Sequence, residues 1–283
     1  MLNNSVRTAL SVGLILGAGV ICAQTVGQNA GQPAAAISAE NLTVPLSRPG
    51  EPMTLNIELL SAHIEVIGEE RKDAQLSITM SQGGRKIKTP SGMKSVSGGS
   101  GVLNVEERDN VVTVESEMPT SKATIIARVP RRSNLKLSTV QDGDIVVRDV
   151  TGTLQLENVN GPITATNING AVIAESVNNA IRVGFATINA SEATALSSIN
   201  GDITLTLPAK AGVELRLDSA QGQMDSDFEL DVKPGKPSIV RNEGRNGMSV
   251  RVEDVVVATV NGGGPVIKLK TLSGNIRIEK SPK

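Results

Sequence analysis

One histidine, one cysteine and scattered carboxylates are the residues of this sequence that could do chemistry. His63 lies in the segment SAHIEV, at a predicted turn before an apolar alternation, where a Ser/His/Asp triad is conceivable. However, the chain contains no Gly-x-Ser-x-Gly nucleophile motif. A structural or solvent-facing histidine is the favoured interpretation, so the sequence predicts no catalytic residue and no enzyme activity.

Metal binding needs several ligands in one place. Zinc sites usually use His and Cys, and this chain has one histidine and no cysteine apart from Cys22, so it has too few ligands for zinc. Calcium is the better hypothesis, because Asp144 and Asp202 each follow a glycine, as in nine-residue calcium-binding repeats. The same place in four other units is held by Thr153, Pro162, Ala171 and Ala180. Without a column of carboxylates, the sequence predicts no metal and no cofactor.

Carboxylates also alternate with other residues near position 228. They are Asp225, Asp227, Glu229 and Asp231. The acidic face of one solvated strand is the ordinary explanation, and an isolated cation site is the alternative. Polysaccharide lyases and hydrolases need such groups, usually with aromatic platforms for sugar rings, and this chain has no Trp or Tyr. A polysaccharide-active enzyme using Asp225 or Asp227 therefore remains only the second alternative.

The charge balance argues against nucleic acid as a partner. The chain has 28 basic and 29 acidic residues, whereas nucleic-acid binding needs a basic face. Single-stranded nucleic acid also requires aromatic stacking. The basic residues form small groups at Arg71-Lys72, Arg85-Lys86-Lys88 and Arg131-Arg132. Solvated loops are favoured over a phosphate site for all three groups.

The N-terminus has the pattern of a secretory signal. Arg7 supplies the positive charge, and an apolar run over 9–21 is too short to span a bilayer comfortably. Cleavage at Ala23, lipidation of Cys22 and an uncleaved anchor remain open. We predict a signal peptide over 1–23, a flexible low-complexity linker over 24–40 and a β-domain over 41–283, with no later transmembrane segment. The protein is expected to be exported to the periplasm, the outer surface or the extracellular space.

Period-two alternation predicts half-buried strands from 41 to 130. Leu55, Ile57 and Leu59 alternate with polar residues, and so do Ile64 and Val66. Between 81 and 101 the Gly and Ser content predicts a mobile loop. This part of the domain is expected to hold irregular strands, and 131–283 regular repeats.

A four-residue phrase recurs from about residue 139: a small polar residue, an aliphatic residue, a small polar residue, then Gly or Asn. Its copies are 149–152, 158–161, 167–170, 176–179, 198–201, 219–222, 259–262 and 271–274. The Gly or Asn positions 143, 152, 161, 170 and 179 are evenly spaced by nine. Apolar residues follow each Gly at plus two, plus four and usually plus seven. We expect one short strand and one turn per unit, with the third apolar residue pointing inward.

The terminal Gly or Asn is expected to supply a left-handed backbone conformation. Two units make a rung of about 18–22 residues, and fixed short periods imply stacked rungs. Every second Gly or Asn position gives the expected stacking order: 143, 161, 179, 201, 222 and then, two rungs on, 262. Polar residues beside the glycines should stack as hydrogen-bonded ladders. The predicted fold is an all-β, elongated β-solenoid of the β-helix or β-roll type, with 9–11-residue repeats.

Two stretches resemble a bacterial family of β-strand-repeat proteins of unknown function, labelled "putative adhesin". They are Ala127-Arg128-Val129-Pro130 with the following Leu135-Lys136-Leu137-Ser138, and the segment 200–208, NGDITLTLP. The resemblance covers roughly 50–280. It implies an exported β-solenoid, and it transfers no site residue.

The predicted function is a non-enzymatic adhesin or a structural, binding scaffold of the cell envelope. Its partner would be an unknown protein or cell-surface ligand, and self-association is possible through uncapped terminal rungs. The first alternative is a periplasmic accessory or sensing protein that binds another envelope protein.

Overall fold

The computed structural model describes residues 40–81, 103–116, 122–188, 193–233, 238–244, 247–253 and 255–282. The predicted signal peptide, nearly all of the predicted linker and nearly all of the predicted loop at 81–101 lie outside these residues. Regular structure within them is entirely β, with no helix, which confirms the predicted all-β class.

The described residues form twenty-two strands. They are β1 (Glu40–Pro45), β2 (Met53–Glu69), β3 (Asp73–Ser81), β4 (Leu103–Arg108), β5 (Val111–Ser116), β6 (Lys122–Pro130), β7 (Ser133–Gln141), β8 (Ile145–Arg148), β9 (Leu154–Asn158), β10 (Ile163–Asn169), β11 (Val172–Ser176), β12 (Ile181–Thr187), β13 (Thr194–Ser198), β14 (Ile203–Leu207), β15 (Val213–Ser219), β16 (Met224–Ser226), β17 (Asp231–Lys233), β18 (Ser238–Gly244), β19 (Gly247–Glu253), β20 (Val256–Val260), β21 (Val266–Thr271) and β22 (Ile276–Lys280). Twenty belong to one hydrogen-bonded sheet, and β18 pairs only with β19.

The large sheet consists of two ladders that share β2. Ladder A runs β1, β3, β6, the second half of β2, β8, β10, β12, β14, β22 and β16. Ladder B runs β4, β5, the first half of β2, β7, β9, β11, β13, β21, β15, β20 and β17. Pairing is parallel from β6 to β16 and from β5 to β15, and antiparallel beyond. Buried side chains of both ladders join in one aliphatic core.

The long strand β2 passes from one ladder to the other because its alternation changes phase. Leu55, Ile57 and Leu59 are buried, and then Ala62, Ile64 and Val66 are buried, three residues after Leu59 instead of two. A strand whose buried set shifts by one residue must turn its inner face at that point. The backbone therefore bends near residue 60.

Isoleucines occupy the same register on successive strands of ladder A. Ile163 of β10 pairs with Ile145 of β8 and with Ile181 of β12, and Ile181 pairs with Ile203 of β14. Each of these side chains is buried. β-Branched residues stacked on one face pack closely between parallel strands, which accounts for a core that contains only two Phe and no Trp.

The stacking order near the C-terminus differs from the predicted one. The pair β21–β22 lies between β13–β14 and β15–β16, since Ile276 of β22 pairs with both Ile203 of β14 and Met224 of β16. The predicted copy at 259–262 is also wrong. Thr259 pairs antiparallel with Glu214, and Gly262 lies in the tight turn that follows, with a φ of +85°.

Candidate binding surfaces

The corner from ladder B to ladder A is built by a stacked turn with a buried polar residue at its start. Ser198 Oγ accepts a hydrogen bond from Gly201 N at 2.9 Å, and Asn158 Oδ1 accepts one from Gly161 N at 2.9 Å. Thr271 and Ser219 make the same bond in their turns, to Gly274 and Gly222. Because these hydroxyls and amides are satisfied locally, polar side chains are tolerated at the edge of the core.

The glycines of this turn are required by close approach. A Cβ at Gly161 would lie 1.7 Å from Gly143 O, and one at Gly201 would lie 1.9 Å from Asn179 O. Neither glycine has a φ in the left-handed region, so the expectation of a left-handed glycine is wrong for this corner. The left-handed region is used at the opposite corner, where Asn167 has a φ of +56° and Gly170 a φ of +127°.

An amide ladder runs across the outside of the same turns. Asn160 Nδ2 donates to Val140 O at 2.9 Å, Asn178 Nδ2 donates to Asn160 Oδ1 at 2.7 Å, and Asn200 Nδ2 donates to Asn178 Oδ1 at 3.0 Å. Each asparagine therefore holds the turn before it through its exposed side chain. The side chain of Asn200 is exposed to solvent.

An aliphatic stripe lies beside the amide ladder. It consists of Leu60, Val140, Val159, Val177, Ile199, Leu272 and Ala220, one from each successive turn. Leu60 and Val140 are 37% exposed, and Ile199 and Leu272 are 44% exposed. The prediction that the third apolar residue points inward is thus correct for Val150 and Ile168, which are buried, and wrong for this corner. An exposed apolar row of this kind is typical of a contact surface.

The outer face of ladder A carries a trough of about 740 Å³. Its base spans β10, β12, β14 and β22. In one row Arg182, Thr204 and Arg277 are direct register partners on three adjacent strands. In the next row Gly184 is opposite Thr206, so that a side chain is missing from the middle of the face. None of these positions was singled out by the sequence, in which they are ordinary outward-facing residues of repeats.

The trough arginines differ from the other arginines of the same face. Arg128 pairs with Glu69 at 2.5 Å, and Arg148 pairs with Glu65. Neither Arg182 nor Arg277 makes an ion pair with any residue in the described part of the chain. Both are exposed, so their charges are available to a ligand.

His63 lies at the outer face of ladder A, where its Nδ1 is 3.8 Å from Asp144 Oδ2. The histidine side chain is one-third exposed. No hydrogen bond from a serine or threonine hydroxyl reaches it among the described residues, so the geometry there contains no triad. Among those residues, no three His, Cys, Asp or Glu side chains converge as a metal site would require.

The four carboxylates near residue 228 do not form one strand face. Asp225 lies in β16 of ladder A, whereas Asp231 lies in β17 of ladder B, so the one-strand interpretation is wrong. Phe228 between them is buried, and Lys280 Nζ lies 5.0 Å from its ring centroid. Asp227 Oδ2 accepts a hydrogen bond from Lys280 N at 3.1 Å. These residues close the end of ladder A.

Two of the three basic groups meet in one cleft of about 480 Å³, and the third, at 85–88, lies outside the described residues. Arg71 bonds Asp73 Oδ1 at 2.9 Å, and Arg131 Nε bonds Glu70 Oε1 at 3.1 Å. The charges of Arg71 and Arg131 are thus compensated by acidic partners within or beside the same cleft.

No protein-family profile and no curated protein matches the chain. A solved structure from Clostridium sporogenes, titled a "putative cell adhesion protein", matches with 13% identity and a TM-score of 0.47, covering 86% of this chain and all of the other. A "putative adhesin" from Bacteroides fragilis matches with 13% identity and a TM-score of 0.38, covering 86% of this chain and 97% of the other. One from Parabacteroides distasonis matches with 10% identity, a TM-score of 0.30 and the same coverages.

Within the described residues, no helix is long and apolar enough to cross a membrane.

Proposed function

We propose that this chain is an exported, non-enzymatic β-solenoid that acts as an adhesin or binding scaffold of the cell envelope. The observation that carries the proposal is the repeated outer surface. The amide ladder and the aliphatic stripe run side by side across successive turns, so that many weak contacts can add up along one line.

Parallel registers support the solenoid interpretation. In ladder B, Leu154 of β9 pairs with Val172 of β11 and with Leu135 of β7. In ladder A, Ile163 of β10 likewise pairs with the strand on each side of it. Each rung thus contributes one strand to each ladder, and the turns described above link the two. In such a fold the same surface features recur in successive rungs. A flat, regular face of this kind suits a partner that is itself repetitive.

Secretion is proposed from the N-terminal sequence. Arg7 followed by the apolar run over 9–21 has the pattern of a signal peptide, and the rest of the chain lacks cysteine, which suits any redox compartment. The absence of Trp and Tyr from the whole chain argues against an enzyme that stacks sugar rings. The carboxylates Asp225 and Asp227 belong to the end of ladder A, and neither is among the residues that line the trough.

The test is protease accessibility on intact cells, followed by an immunoblot for this chain. Loss of the band while a periplasmic control protein survives is expected for a surface adhesin. A deletion strain should then adhere less well to its natural surface, and the wild-type chain should restore adhesion. A protected band and unchanged adhesion would instead support the periplasmic accessory protein. Activity on polysaccharides that is lost with Asp225→Asn would contradict a non-enzymatic role.

A further inference from the structure

The row formed by Arg182, Thr204 and Arg277, here called the clamp, places two arginines on either side of one hydroxyl, and Asp225 of β16 is the register partner of Arg277 on its other side. Neighbouring strands lie about 4.8 Å apart, so the two arginine Cα atoms are separated by roughly 10 Å. Their side chains are long enough to converge above the hydroxyl of Thr204, which lies between them. Guanidinium groups form paired, charge-assisted hydrogen bonds with carboxylate and phosphate oxygens.

Gly184 opens the space next to this clamp, and nothing in the backbone requires glycine there. A Cβ at this position would lie 3.7 Å from Thr206 Cβ and 3.9 Å from Ala165 O, which are ordinary contacts, and its φ is not in the left-handed region. Glycine inside a strand lowers stability and often marks the close approach of a ligand. Gly184 therefore differs from Gly161 and Gly201, whose missing side chains are needed for stacking.

The rest of the trough is lined by hydroxyl groups and by two carboxylates, Asp202 and Glu279, so an anion would be held by the two arginines alone and not by a basic lining. Thr166, Thr206 and Glu279 surround the space above Gly184, and none of their side chains has a hydrogen-bond partner among the described residues. Phe185 contributes little, because it is only 4% exposed. A ligand that fits these groups carries hydroxyls, because a threonine hydroxyl both donates and accepts hydrogen bonds and a carboxylate accepts them.

We propose that the trough binds an anionic saccharide. Its carboxylate or phosphate group lies between Arg182 and Arg277 above Thr204, and its hydroxylated ring occupies the space above Gly184. This inference rests on the proposed binding function and names the ligand class for it. Recognition through ions and hydrogen bonds replaces the aromatic stacking that the composition excludes.

An acidic peptide fits this face less well. Peptides bind sheets by adding a strand to an open edge, and the trough lies on strands whose edges are already paired on both sides. A peptide could thus reach only side chains here, whereas the saccharide uses both the clamp and the hydroxyl-lined space.

The first experiment is calorimetric titration of the purified full chain with glucuronate, glucose 6-phosphate, glucose and inorganic phosphate. The two anionic sugars are expected to bind, with glucose and inorganic phosphate each weaker by about tenfold or more. A preference between the two sugars identifies the acid group. If glucose binds as well as glucuronate, the clamp is contradicted. If inorganic phosphate matches glucose 6-phosphate, or if neither anionic sugar binds, the saccharide proposal is overturned.

Substitutions test whether the ligand binds in the trough. Arg182→Gln and Arg277→Gln should each weaken binding about tenfold, whereas Arg128→Gln, which removes a paired arginine from the same face, should leave it unchanged. Gly184→Thr should block binding while the melting temperature stays the same or rises. Equal losses in all three arginine variants, or full binding by folded Gly184→Thr, would contradict the proposal. These measurements are independent of where the chain resides, so their failure leaves the surface test unaffected.

Discussion

Gly222 packs directly against the carbonyl oxygen of Gly274, although the two residues are far apart in the chain. A Cβ at Gly222 would lie 1.8 Å from that oxygen, and Gly274 in turn packs against Gly201 O. The turn of β21–β22 is thus held between the turns of β13–β14 and β15–β16. A rung from the C-terminus fills a gap that the preceding chain leaves open.

Engineered disulfides test this order. Ala195 of β13 is opposite Lys268 of β21, and Lys268 is opposite Arg216 of β15. In a Cys22→Ser background, A195C with K268C should form a disulfide, because adjacent strands bring the Cα atoms within the range of about 4.4–6.8 Å. A195C with R216C, separated by two strand spacings, should stay reduced. Mass spectrometry after mild oxidation distinguishes the pairs, and the reverse result would restore the chain-order arrangement.

Substitution of a stacking glycine should be costly. Gly161→Val is expected to lower the free energy of unfolding by roughly 3 kcal/mol or more, because its side chain would collide with Gly143 O. Gly184→Ala is the matched control and should leave the free energy of unfolding unchanged or raise it by up to about 1 kcal/mol. Urea denaturation provides both values. A small effect of Gly161→Val would mean that the turns do not stack as closely as described.

The amide ladder predicts that two asparagine variants lose different amounts of stability. Among the side-chain hydrogen bonds of the described residues, Asn178 donates one and accepts another, whereas Asn200 only donates. Asn178→Ala should therefore cost about twice as much as Asn200→Ala, or roughly 2 against 1 kcal/mol, since one hydrogen bond contributes about 1 kcal/mol. Equal costs in urea denaturation would show that the side chains act independently of the ladder.

A pH-dependent contribution is expected from Glu107. Its carboxylate accepts hydrogen bonds from Ser47 N at 3.0 Å, Ser47 Oγ at 2.9 Å and Asn110 N at 2.9 Å. The bond from Ser47 N, above all, holds the pKa of Glu107 below its usual value. The charged form is favoured in the folded state, so its contribution is present above the unfolded pKa and is lost as pH falls through the folded pKa.

Glu107→Gln should therefore lower the melting temperature at pH 7, and the difference from wild type should shrink as pH falls below the usual pKa of a glutamate, about 4.3, and vanish once the pH has passed the lower folded pKa. Glu106→Gln serves as control, because Glu106 pairs only with the largely exposed Arg108. A difference that persists unchanged into acid would mean that the charge of Glu107 is not involved.

Substitutions in the aliphatic stripe should leave the stability of the fold nearly unchanged. Ile199→Thr combined with Leu272→Thr removes two side chains that are each 44% exposed, so the free energy of unfolding should change by less than about 1 kcal/mol. Retention on a hydrophobic-interaction column should decrease. If the double variant unfolds much more easily, these side chains belong to the core and the stripe is not a free surface.

The all-β class and the strand positions follow from alternation in the sequence, but the two corners do not. Val150 and Val159 occupy the same place in the four-residue phrase, yet Val150 is buried and Val159 is partly exposed. The rung contains two different turns, and a nine-residue period treats them as one. The distinguishing signal is the first residue, which is left-handed at Asp149 and bonded to a glycine amide at Asn158.

The order of the last rungs could not be deduced from spacing either. The distance from Gly201 to Gly222 fits a rung as well as the earlier intervals do, although Gly274 is the residue that stacks on Gly201. The trough was missed for a related reason. Arg182 and Arg277 are distant in sequence, and only the insertion of β22 beside β14 brings them to either side of Thr204.

The position of β21–β22 separates the order of synthesis from the order of assembly. As the ribosome proceeds, β14 emerges early with one edge unoccupied, and β15 and β16 emerge without the strands that later bind them. The strands that join these two parts, β21 and β22, are made after both. The rungs therefore cannot be added strictly in the order of synthesis, because a later segment completes the middle of the stack.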